Sequence, residues 1–254
     1  MKERSRLQNS FFNFISGMGY RMLTLITAFV VRTVFVKCLN AEYLGINGLY
    51  SNILSMLSLA ELGFGTAMVY SMYQPLADRN SKKIQQLMKL YQKVYAIIGT
   101  VILIIGLCLV PFLDVLIKNQ PNVGGLTFYY VLFLLNSVVS YWFFAYRNAL
   151  LQADQKAYIV TNYNSLFNLI KSVLQIALLL IFHSFTLYLV TQIICTIGQN
   201  IAVAIKVDTM YPFMKKKCDE KLPKQERNKI FRDVKALMLS KISHVALNST
   251  DNII

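Results

Sequence analysis

The stretch LGINGLYSNILSMLSLAELGFGTAMVYSMY, Leu44 to Tyr73, runs for 30 residues with one charge, Glu61. A helix needs roughly 20 predominantly apolar residues to cross a bilayer, so this stretch is long enough to span. Five others meet the same criterion: Phe11–Val36, Gln92–Ile117, Leu126–Leu151, Thr161–Phe182 and Thr186–Val207. A seventh begins near Ala236 and is still running at Ile254. With 56% hydrophobic residues, 15% charged residues and a mean hydropathy of +0.47, the chain is not an ordinary soluble domain. The expected fold is an all-α polytopic membrane protein. A six-helix lobe covers 1–207, a basic linker 208–235, and the start of a second lobe 236–254. The chain then reads as one half of a two-lobed alternating-access transporter built from parallel repeats.

The net charge of +14 would suit a nucleic-acid partner, but its placement argues for a membrane instead. Lys2, Arg4 and Arg6 precede the first stretch, Arg79, Lys82, Lys83, Lys89 and Lys93 follow the second, and Arg147 and Lys156 flank the link after the fourth. Ten more lie between Lys206 and Lys235, while the opposite links hold only Lys37 and Lys118. Lysine and arginine concentrate on the cytoplasmic side, so the N-terminus is expected inside. The basic linker suits anionic lipid headgroups. The first apolar stretch exceeds the roughly 7–15 residues of a signal-peptide core, so it reads as a retained helix. Cys38, Cys108, Cys195 and Cys218 show no metal-ligand spacing.

Several charges stand where hydrocarbon disfavours them: Arg21, Arg32, Glu61, Lys171, Lys241 and Asp251. Each costs at least about 2.5 kcal/mol near the bilayer centre, so such residues normally face a cavity or a partner. Buried ion pairs are the structural alternative, yet four cations exceed two acids, and the surplus points to an anionic substrate. Arg21 and Arg32 are 11 residues apart, which returns them to one helix face. Asn164, Asn168, Lys171 and Gln175 follow an i, i+4, i+7, i+11 spacing. Asn47, Ser51, Ser58, Glu61 and Gly65 share a direction on the second stretch, and Asn136 and Ser140, then Gln192, Thr196 and Gln199, mark the fourth and sixth. Such stripes also serve as glue between membrane helices. Residues Val94–Leu113 carry almost no polar side chain and read as lipid-facing. The candidate substrate-binding residues are therefore Arg21, Arg32, Asn164, Asn168, Lys171, Gln175 and Lys241, with Glu61 and Asp251 as charge or coupling partners.

No catalytic motif stands out, and no GxxxxGK[ST] or GxGxxG sequence offers a nucleotide site. Coupling is then expected to use an ion gradient, H+ or Na+, or the membrane potential. No cofactor or metal is indicated.

The run Leu44-Gly45-Ile46-Asn47-Gly48-Leu49-Tyr50-Ser51-Asn52-Ile53-Leu54, with Leu59-Ala60-Glu61-Leu62-Gly63-Phe64-Gly65, resembles the second helix of bacterial polysaccharide flippases. These are the O-antigen and capsule repeat-unit transporters of the multidrug/oligosaccharidyl-lipid/polysaccharide exporter superfamily. Ser71-Met72-Tyr73-Gln74-Pro75-Leu76-Ala77-Asp78 resembles the cytoplasmic link of that group, and Asn248-Ser249-Thr250-Asp251-Asn252-Ile253-Ile254 the start of its seventh helix. The resemblance implies a protein about twice this length, its C-terminal lobe lying beyond this chain. Such a protein passes undecaprenyl-diphosphate-linked glycans across the bacterial cytoplasmic membrane, and by analogy Arg21, Arg32, Lys171 and Lys241 would meet the diphosphate. A cation-coupled multidrug exporter of the same superfamily is the alternative; it would favour carboxylates over this positive excess. A non-transporting membrane scaffold is a third reading, and an enzyme is the least supported.

Overall fold

The computed structural model describes residues 6–57, 63–113, 124–215, 220 and 222–250, with the backbone alone for Arg6 and for 241–250. The described residues form nine α-helices and no strand: α1 Arg6–Leu39, α2 Ala41–Leu57, α3 Phe64–Ala77, α4 Ser81–Leu109, α5 Leu126–Trp142, α6 Asn148–Ala153, α7 Ala157–Phe182, α8 Phe185–Met210 and α9 Lys224–Thr250. Four helical segments, Leu7–Leu39, Ser81–Phe112, Ala157–Phe182 and Phe185–Met210, are long and apolar enough to cross a membrane. They become five if the bent pair Leu126–Trp142 and Ala145–Ala153 counts as one span. The architecture is that of a multi-pass, all-helical protein.

Two expected spans are interrupted. The second stretch is divided between α2 and α3, of 17 and 14 residues, and Glu61 lies outside the described residues between them. Gly63 precedes α3 with φ +100, a conformation that glycine adopts without a Cβ clash. The fourth stretch bends by 45° between α5 and the segment from Ala145. There Phe144 takes φ 57 and ψ 10, left-handed backbone that costs a non-glycine residue about 1–3 kcal/mol. The Arg147 guanidinium lies 5.4 Å from the Phe144 ring centre, pairs with Asp208 and donates to the Ala204 carbonyl at 3.2 Å.

The helices pack through small residues and polar pairs, as membrane helices do in the absence of a hydrophobic drive between them. A Cβ on Gly99 would lie 2.6 Å from the Trp142 ring, and one on Gly106 would lie 2.3 Å from Leu134. These glycines let α4 and α5 approach closely, and Tyr130 donates to the Gly106 carbonyl at 3.0 Å. The expected lipid-facing stretch therefore has two faces: Ile97, Val101, Ile104 and Ile105 are exposed while Val94, Tyr95 and Ile102 are buried. α1 and α7 are parallel neighbours. Asn13 bonds the backbone at Gln155 and Tyr158 near their N-terminal ends, and Asn168 donates to Thr27 further along.

The bundle's two ends differ chemically. At one, Phe185 sits among Phe35, Tyr43, Tyr129, Phe133 and Tyr188, with ring centres 4.8–6.3 Å apart. At the other lie the ion pairs of the described residues: Lys82–Glu220, Lys83–Glu226, Arg147–Asp208 and Lys156–Asp154. That end carries the basic links of the sequence.

α9 runs unbroken through the expected boundary between Lys235 and Ala236. It lies antiparallel to α3: Lys83 at the start of α4 pairs with Glu226, Phe64 meets the Phe231 ring at 5.7 Å, and Gly63 abuts the backbone of Val234 and Met238.

Candidate functional site

α1, α2 and α7 line a half-open cavity of about 370 Å3, to which α8 adds Tyr188. The parallel register of α1 and α7 brings Arg32 and Lys171 onto its wall together. Lys171 stands 13 residues beyond Tyr158, roughly 20 Å along the helix, and 11 residues, roughly 16 Å, short of Phe182. That places it mid-way between the two ends. Asn168 and Gln175, one turn to either side, line the same cavity, as does Asn47 from α2.

The wall carries two cations among neutral residues, polar at Asn47, Asn168 and Gln175 and apolar at Val31, Phe35 and Leu44. No lining residue is acidic. Among the described residues neither Arg32 nor Lys171 takes part in an ion pair, whereas the described pairs gather at the basic end of the bundle. Gln175 is 2% exposed and Ser172 5% exposed, so their polar groups reach the cavity from within the packed wall. Gln175 donates to the Tyr188 carbonyl at 3.2 Å and Asn168 to Thr27 Oγ1 at 3.1 Å, which fixes both amides. Thr24 Oγ1, on the same wall, is buried and finds no hydrogen-bond partner among the described residues. A buried hydroxyl normally finds one. Two cations with amide and hydroxyl neighbours suit an anion that also carries hydroxyls.

The remaining expected residues have other placements. Arg21 is exposed on α1, 11 residues before Arg32, and is not part of the cavity lining. Asn164 accepts from Gln199 Nε2 at 2.8 Å and joins α7 to α8; Thr196 and Asn136 form a similar tie at 3.0 Å. These are the glue readings of the polar stripes. Lys241 belongs to the 241–250 part of α9, where only the backbone is described. Glu61 and Asp251 lie outside the described residues.

A second cavity, of about 500 Å3, is not expected from the sequence, although Gly65 and Ser140 of its lining belong to the polar stripes. It lies between α3, α4, α5 and α6 and is lined by five tyrosines with no charged side chain. Tyr91 and Tyr95 on α4, like Tyr70 and Tyr73 on α3, are about one turn apart, a visible clue, but only packing brings the two pairs together with Tyr141 of α5. Comparison of the chain with protein-family models, curated proteins and solved structures finds no match.

Proposed function

We propose that this chain is one lobe of a flippase for undecaprenyl-diphosphate-linked oligosaccharide, acting in cell-surface polysaccharide synthesis at the bacterial cytoplasmic membrane. The carrying observation is the pairing of Arg32 and Lys171 on a mid-depth cavity whose lining has no carboxylate. At an effective dielectric near 20, a unit charge 4 Å away contributes about 4 kcal/mol, so two cations offset much of the cost of drawing a diphosphate from water. Asn47, Asn168 and Gln175 would hydrogen-bond sugar hydroxyls, and the polyprenyl tail would remain in lipid.

In this reading six membrane crossings form the lobe, with α2 and α3 together making the second. The N-terminus is cytoplasmic, and a second lobe rocks against the first to give alternating access. Glu61 and Asp251 would exchange protons or pair with the cations between cycles; H+ or Na+ is the coupling ion. Deleting the gene should make undecaprenyl-linked sugar accumulate on the inner leaflet. Normal amounts and sidedness of that intermediate would overturn the proposal. The multidrug alternative calls for a carboxylate to attract an organic cation, and the lining residues of this cavity supply none.

A further inference from the structure

We propose that the tyrosine-lined cavity between α3, α4, α5 and α6 binds an uncharged sugar ring. The inner wall is a chain of rings: Tyr91 and Tyr95 meet edge to face with centres 4.8 Å apart, and Tyr95 and Tyr141 are tilted with centres 5.8 Å apart. All three are nearly buried, at 2%, 8% and 6% exposure, whereas Tyr70 and Tyr73 on the rim are 62% and 44% exposed. Gly65 keeps the floor open. A Cβ there would stand 3.4 Å from the Tyr91 hydroxyl and 4.0 Å from that of Tyr95, so both hydroxyls converge on this backbone.

A pyranose ring presents apolar C–H faces bounded by hydroxyls. Tyrosine offers the complementary pair, an apolar ring with a hydroxyl tip. Asn148 and Gln152 add amides that donate and accept. The volume of about 500 Å3 falls within the roughly 300–1,000 Å3 typical of small-molecule sites. An ion would gain little here, because no charged side chain lines the wall. Asn148 and Gln152 place part of this lining near the end of the bundle that holds the Arg147–Asp208 and Lys156–Asp154 pairs, apart from the Arg32–Lys171 cavity, so a sugar ring held here would be distant from those two cations. The inference rests on the transport reading only for the source of the sugar; ring recognition stands or falls by itself.

The test is saturation-transfer NMR on the purified chain in phospholipid nanodiscs, with maltose, N,N′-diacetylchitobiose and tetraphenylphosphonium as probes. Transfer to ring protons of a disaccharide is expected. Gln152→Ala, at an exposed position, and Tyr95→Phe should each weaken binding by about three- to tenfold, the worth of one hydrogen bond. Thr66→Trp, which fills the cavity, should abolish it, and Ile181→Ala, on the exposed face of α7 away from both cavities, should leave it unchanged. No transfer to either disaccharide overturns the proposal, as does transfer indifferent to both Thr66→Trp and Gln152→Ala. Tetraphenylphosphonium binding in place of sugar would make this an organic-cation site. Disaccharide binding that persists while gene deletion leaves lipid-linked sugar undisturbed would remove the transport reading and keep this one.

Discussion

Arg32 and Lys171 are 139 positions apart in the chain, yet a parallel helix pair sets them on one wall. If they neutralise a substrate anion, removing either charge should matter more than removing volume. Arg32→Ala or Lys171→Ala is expected to abolish glycan export with unchanged protein in the membrane fraction, and Lys171→Arg to retain part of it. Wild-type surface glycan in both alanine variants would count against an anion role. Gly63 poses a different residue-level constraint, since its φ of +100 and the Met238 nitrogen 2.9 Å from a Cβ position both forbid a side chain. Gly63→Ala should therefore cost at least about 1–3 kcal/mol, seen as a lower midpoint in thermal unfolding. The sequence showed which side chains carry charge in apolar surroundings. It did not separate Asn168, on the cavity, from Asn164, bonded to Gln199, because both occupy the same helical face and only the neighbouring helix distinguishes them.

Helices α1, α4, α7 and α8 were legible because an uninterrupted apolar run of spanning length has few other solutions. The broken elements were not. Nothing in Tyr141-Trp142-Phe143-Phe144 warns of a 45° bend, since no glycine or proline marks it; the left-handed Phe144 is held by Arg147, whose partner Asp208 comes from α8. The helix ends at this side of the bundle are also tied by Tyr211, which donates to Asp154 at the α6–α7 link. Burial, then the hydrogen bond to Asp154, holds the Tyr211 phenol well above its ordinary 10.0. The fold favours the protonated phenol, so its contribution is complete below about pH 10 and is lost as pH rises through the elevated value. Between about pH 9 and 11 the wild-type chain should lose stability more steeply than Tyr211→Phe, followed by helical circular dichroism. Equal slopes would show that this hydroxyl contributes nothing there.

At the scale of the whole molecule, aromatic side chains mark one end and ion pairs the other, the asymmetry that lysine and arginine placement suggested. With the basic end cytoplasmic, a phosphatase reporter fused at His183 should be active and one fused at Arg79 inactive. The reverse pattern would invert the protein and the direction of transport with it. Charge placement carries the orientation proposed for the chain, while the tyrosine cavity depends on packing among four elements and leaves only helical-turn tyrosine pairs in the sequence. α9 extends over 27 residues, roughly 40 Å at 1.5 Å per residue. Its first half is held to α3 and α4 by Phe231 and Glu226, and its middle abuts Gly63 at Val234 and Met238. Anything that tilts this basic rod would therefore have to carry α3 along with it.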